Sequence, residues 1–263
     1  MNKSFERKMQ IENCLRDVVN RNELICYFQP QINLFTNEIV GIESLMRWQS
    51  SELGFVSPSE FIPYAEENNT ICELTYWMFD EVCSSLFLLN ERYDSKFHIS
   101  INISIKDLKN PNFISHIVKS CSDKKVDPKN IVIEITESMM IDNYDEAILE
   151  IYEIRKLGFR FALDDFGKGY SSLSHLNNLP IDILKIDKDF LDSGMSTKGK
   201  QLIKSIIELS NKLGYTVIAE GIETEDQFEM LKEYACFGGQ GFLMSKPIPF
   251  DELIAFIDNK LEY

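Results

Sequence analysis

Apolar and polar positions change rhythm along this chain. Near the start, Ile11, Leu15, Val18 and Val19 follow helical spacing, which predicts an amphipathic helix over residues 5–20 leading into a first strand. Beyond it come short runs rich in β-branched and aromatic residues: ICYFQPQINL, EIVGIESLMRW, FHISINIS, IVIEITES, FRFALDDF, IDILKID and YTVIAEGI. These mostly alternate with helix-type segments, from SPSEFIPYAEENN to PFDELIAFIDNKLEY, and strands separated by helices pair in parallel. Only the first two runs lack a helix between them; the turn-like FTNE joins them as in an antiparallel hairpin. The units are numerous enough to close a barrel, and no Pro/Ser/Gly linker or charge block divides the chain. The expected fold is therefore one α/β domain of (β/α)8 type with an irregular start. A doubly wound open sheet shares this periodicity and is the structural alternative.

Composition narrows the partners. A chain of 263 residues with 44% apolar content can bury a sizeable core as a single unit. Its formal charge of -15 excludes general nucleic-acid binding, which needs a basic stripe to displace counterions. Six cysteines, at 14, 26, 72, 83, 121 and 236, form no CxxC pair, so neither zinc nor a disulfide framework is indicated and a cytoplasmic, reducing compartment is expected. No stretch approaches the roughly 20 apolar residues of a membrane helix.

The strand ends hold the chemistry. Glu43, Asn102, Glu134, Asp164 with Asp165, Lys185 and Glu220 each stand near the end of a predicted strand. In a parallel barrel such ends gather on the C-terminal face, where residues far apart in sequence become neighbours. Strand alternation would point Asp164 and Asp165 in opposite directions, so they converge only if the strand is already ending, with Gly167 and Gly169 supplying the bend. Taken singly, a carboxylate at a strand end is ordinarily solvated, a helix cap or a surface ion-pair partner. Five oxygen-ligand candidates from four strand ends, Glu43, Asn102, Glu134 and the pair Asp164 and Asp165, instead suggest a site for a hard cation such as Mg²⁺ or Mn²⁺. Lys185 beside them would orient a water or stabilise developing charge rather than merely pair with Asp187.

The ordered motifs FQPQINLFTNEIVGIESLMRW, SPSEFIPYAEEN, INIS, IEITES, LDDFGKGYSSLSHLNNLPIDILKID, AEGIET and QGFLMSKP resemble the EAL domain of bacterial cyclic-diguanylate phosphodiesterases over residues 20–258. The resemblance implies a TIM-type (β/α)8 barrel with an antiparallel first strand that hydrolyses cyclic di-GMP to linear pGpG with two divalent cations, Mg²⁺ or Mn²⁺. By motif, Glu43, Asn102, Glu134, Asp164, Asp165 and Glu220 match metal positions, and Lys185 matches the lysine that orients the attacking water; Lys185, Glu43 and Glu220 are the catalytic set. Gln29, Arg47 and Gln240 match substrate contacts, while Glu137 and Glu223 match residues that support the loop and metal shell. Residues 1–20 resemble the connector that follows a GGDEF or sensory domain, leaving 21–263 as the barrel. A larger parent protein, open to membrane tethering, and a homodimer are corresponding expectations.

Two positions depart from the family pattern. Ser44 stands where alanine is usual, a small neighbour on the opposite strand face, and Lys168 stands where the family has threonine or another small residue. The alternatives to an active enzyme are an EAL module that binds cyclic di-GMP or a protein partner without turnover, and a barrel glycosidase. The latter needs only two carboxyl groups and leaves the surplus ligands and Lys185 without a role. If Lys168 is the restraint on this site, Lys168→Thr should hydrolyse cyclic di-GMP at an unchanged or higher rate; a large loss in a product assay would give Lys168 a positive role.

Overall fold

The computed structural model describes residues 3–93, 97–140, 144–167, 176, 179–194 and 196–261. Helix α1 (Lys3–Leu15) precedes strands β1 (Leu24–Asn33), β2 (Ile39–Ser50) and β3 (Gly54–Val56), then helices α2 (Pro58–Glu67) and α3 (Ile71–Arg92). Next come β4 (Ile99–Asn102), α4 (Ile105–Leu108), α5 (Phe113–Lys124), β5 (Ile131–Thr136), α6 (Tyr144–Lys156) and β6 (Arg160–Phe166). Strands β7 (Ile183–Ile186), β8 (Thr216–Ala219), β9 (Gly238–Gly239) and β10 (Ile248–Pro249) complete the sheet. Between and after them lie helices Lys188–Ser193, Thr197–Lys212, Glu225–Glu233 and Phe250–Leu261. No helix among the described residues is long and apolar enough to cross a membrane.

Eight strands close on themselves in the order β1-β9-β8-β7-β6-β5-β4-β2, with β2 pairing back onto β1. The expected barrel is therefore closed, and the open-sheet alternative is excluded. β1 runs antiparallel to both β2 and β9, while every other step round the ring is parallel. The hairpin forms because Asn33 Oδ1 accepts from the amides of Phe35 and Thr36 at 2.8 and 3.0 Å, and Asn37 takes the left-handed φ of 61° that asparagine tolerates.

The first helix stops five residues earlier than its apolar spacing predicts. Residues 16–22 continue as turns, and Asn22 ends them at φ 54°. Apolar side chains still follow the inner face: Ile11, Cys14, Leu15 and Val18 are buried against Trp48, Phe61, Ala65 and Leu74 in a second core beneath α2. Trp48 donates its ring N–H to Glu23 Oε2 at 2.9 Å, and Ser51 satisfies the other oxygen, so the one buried carboxylate of that layer is fully hydrogen-bonded. The main core lies between the strands and the outer helices, where α3 presents Met78, Val82, Leu86 and Leu89 at three- and four-residue intervals.

Outward strand positions such as Ile99, Ile101, Ile133 and Ile135 feed that outer core, which leaves Ser100, Asn102 and Glu134 on the inner face. Gln240 reaches the barrel from the turn after β9, where the backbones of residues 222 and 240–243 interlock: Ile222 N donates to Gln240 O, and Leu243 N to Ile222 O. A Cβ on Gly241 would stand 2.2 Å from Ile222 O and 2.3 Å from Ile222 N. Backbone atoms cannot yield as a flexible side chain can, so Gly241→Ala is expected to lower stability by about 1–3 kcal/mol in urea titration; a change below about 0.5 kcal/mol would show that the turn adapts freely.

Candidate active site

The barrel gathers four acidic side chains around one ammonium. Lys185 Nζ, on β7, lies 2.7 Å from Glu220 Oε1, 2.8 Å from Glu134 Oε2, 3.3 Å from Glu43 Oε2 and 3.5 Å from Asp164 Oδ1. Lys185 is only 1% exposed, so these carboxylates replace water as its partners. The strand register explains the convergence: Glu43 is paired with Ser100 on β4, and Asn102 with Glu134 on β5, stepping the inward positions round the ring.

Amide side chains fix the carboxylates. Asn102 Nδ2 donates to Glu43 Oε1 at 3.0 Å. Gln240 Nε2 donates to Glu43 Oε2 and to Glu220 Oε1, and its own Oε1 accepts from Gln31 Nε2 at 2.9 Å. Gln31 was not among the residues singled out from the sequence, although its two-residue spacing from Gln29 on β1 places both on the inward face. Gln29 itself donates to Ser245 O at 3.0 Å.

Burial and charge act in opposition here. Burial raises the Lys185 cost of ionisation, yet Asp164, Glu134, Glu220 and Glu43 together hold its ammonium well above the usual lysine range. Burial pushes Glu134 well above and Asp164 above the ordinary carboxylate range, with neighbouring carboxylates adding to the rise. Burial likewise pushes Glu220 up to about 8. For Glu43, burial is outweighed by Lys185 and by the amide donors of Gln240 and Asn102, leaving its carboxyl below the usual range. One ammonium therefore serves more buried acid than it can neutralise. Glu43, Glu134 and Asp164 each offer an oxygen within 4.8 Å of the others, a hard donor set suited to a divalent cation.

Asp165 stands beside this cluster rather than within the acidic triad. The bend that separates the two aspartates occurs at Asp165 itself, whose φ is 59°, and the β6–β7 register shifts between Leu163 and Phe166. Its amide donates to Asp164 Oδ1 at 2.8 Å, and its side chain borders a cleft of about 950 Å³. Asn102 borders the same cleft, whose opposite wall includes Pro58, Ile62 and Pro63 of α2. Arg47 adds a cation to the wall, held over the Tyr27 ring at 5.4 Å.

Glu137 Oε2 accepts from the amide of Gly167 at 3.3 Å and so grips the start of the loop after β6. Glu223 lies outside the cluster, exposed and paired with Lys188. Lys168 and Gly169 lie outside the described residues.

Comparison with known proteins identifies the family. The EAL domain family matches residues 12–247. The bifunctional diguanylate cyclase/cyclic di-GMP phosphodiesterase MucR of Pseudomonas aeruginosa is 29% identical over 98% of this chain and 38% of its own length. Cyclic di-GMP phosphodiesterase PA2567 of the same organism is 36% identical over 86% of this chain and 38% of its own length. This chain thus spans well under half the length of either relative. Among solved structures, the MucR phosphodiesterase in complex with c-di-GMP superposes with a TM-score of 0.88 at 29% identity, covering 93% of this chain and 99% of that one. The EAL enzyme Bd1971, bound to cAMP and cyclic di-GMP, gives 0.90 at 31% identity over 98% of this chain and 70% of that one. With a barrel closed through an antiparallel first strand and a family match over most of its length, this chain belongs to the EAL domain family.

Proposed function

We propose that this domain is a metal-dependent phosphodiesterase that hydrolyses cyclic di-GMP to linear pGpG. The observation that carries the reading is the surplus of buried carboxylates on Lys185 beside a cleft of dinucleotide size. A fold has no structural need to bury four acids on one lysine, and breaking even one such pair is costly. Relatives named as cyclic di-GMP phosphodiesterases and an EAL structure holding that nucleotide support the choice of substrate.

Glu43, Asn102, Glu134, Asp164, Asp165 and Glu220 would hold two divalent cations, Mg²⁺ or Mn²⁺. When bound, such cations neutralise phosphate oxygens and make water a stronger acid. The protein's own groups set the geometry. Lys185, kept charged by its carboxylates, donates hydrogen bonds that orient the attacking water in line with the leaving oxygen. Glu220 Oε1 lies 2.7 Å from Lys185 Nζ, so Glu220 is assigned as the carboxylate within reach of the proton that this water gives up. Gln240 fixes Glu43 and Glu220 relative to each other, and Gln31 fixes Gln240. Arg47 lines the cleft and, with Gln29, is assigned to contact the nucleotide, while Glu137 and Glu223 are assigned to steady the surrounding loops.

Incubation with cyclic di-GMP and Mg²⁺ or Mn²⁺ should yield pGpG, and Glu43→Ala should lower kcat by about 10²-fold or more. Full activity in that variant would remove Glu43 from the machinery. Nucleotide binding without any pGpG from the native chain would favour the receptor reading instead. Cation binding is separately testable by melting: Mn²⁺ at about 100 times its Kd should raise Tm by roughly 5–10 °C over the chelated protein, with the rise much reduced in Glu43→Ala. Equal melting with and without metal would sink the ligand assignment.

A further inference from the structure

Below the acidic cluster the barrel is only partly filled: Val132, Ala162, Ile183 and Ile218 pack into a small apolar layer on one side. Layers of side chains usually pack such an interior solid, yet here a chamber of about 320 Å³ runs from Lys185 and Glu134 to the N-terminal ends of the strands. Small inward residues leave the space. Gly41 is one of them, because a Cβ there would meet Gln31 Oε1 at 2.4 Å and displace the side chain that holds Gln240. Apolar Val132, Ile183 and Ile218 form part of the wall. At the lower end His98, Arg160 and Thr216 are only half-buried, so the chamber reaches the surface opposite the cleft.

Ser100 shows what this space holds. It lies on β4 opposite Glu43 and Val132, is 4% exposed and lines the chamber, and its hydroxyl has no hydrogen-bond partner among the described residues. Most of the chamber wall is apolar, so it is this unpartnered buried hydroxyl, with Gln31, Glu134 and Lys185 on the same wall, that calls for water as its partner. Glu134 and Lys185 extend the polar wall upward into the cluster itself.

We propose that the chamber is a second, water-filled passage to the acidic cluster, through which water and protons exchange with solvent at the N-terminal face of the barrel while a ligand covers the cleft. Its use in turnover rests on the phosphodiesterase reading. Hydrolysis forms a new P–O bond from water and breaks the P–O3′ bond; the leaving oxygen takes one proton of that water. The product monoester, whose second ionisation lies near pH 6, releases the other at neutral pH. Each turnover thus draws in one water and sends out one proton, and a covered cleft obstructs both. The passage below supplies the route.

Thiol labelling tests it. In full-chain Ser100→Cys, modification of the introduced thiol by 2-aminoethyl methanethiosulfonate is followed by peptide mass spectrometry, which separates it from the six native cysteines. The introduced thiol should react, about tenfold more slowly when Thr216→Trp obstructs the lower mouth, and within twofold of the same rate when cyclic di-GMP is added in chelator. His98→Trp provides a second plug if Thr216→Trp melts early. A thiol at this position that does not react, or that nucleotide protects while both plugs leave its rate unchanged, overturns the passage. Calorimetry of the nucleotide runs in parallel: absence of binding counts against the phosphodiesterase reading, while the plug comparison still decides on the passage. In turnover, either plug alone should lower kcat several-fold at constant KM.

Discussion

The ammonium of Lys185 and the four carboxylates on it set the terms for the rest of this barrel. Each acid arrives from a different strand, β2, β5, β6 or the end of β8, so the cluster exists only once the ring has closed. Closure in turn depends on β1, which pairs antiparallel with β2 and β9 and seals the gap between the first and last parallel strands. The amide chain from Gln31 through Gln240 to Glu43 crosses that same seam. Fold closure and site assembly are therefore one event, and no single strand carries a partial site.

Buried acid of this density is unstable by itself. Burial pushes all four carboxyls upward while Lys185 pulls the other way, and three of them stay above their ordinary range, so protonation or added cations must complete the balance. The same imbalance that would burden a structural protein makes the site receptive to hard metal ions, and Asn102 and Gln240 keep the acids from relaxing apart.

Much of this was legible in the residues because the relevant signals are local. The FTNE turn announces an antiparallel start, and ionisable residues at the ends of β-type runs become neighbours once a parallel barrel is assumed. Less legible were features set by tertiary contact. The eighth barrel strand is Gly238–Gly239, too short and too plain to show any period. Gln31 escaped notice because β1 runs opposite to its neighbours, so its far end, not its near one, enters the lower barrel. Gly167 takes the positive φ of 109° that the bend was assigned to, but the change of direction already begins at Asp165, since a left-handed backbone is open to aspartate as well as glycine.

That bend bears on how variants at residue 165 are to be interpreted. With φ at 59°, a β-branched or bulky replacement would fail on backbone conformation before any question of ligand chemistry arose. Loss of function in such a variant would say nothing about the carboxylate. Asparagine keeps the backbone preference and removes only the charge, which makes Asp165→Asn the replacement that separates shape from electrostatics at this position.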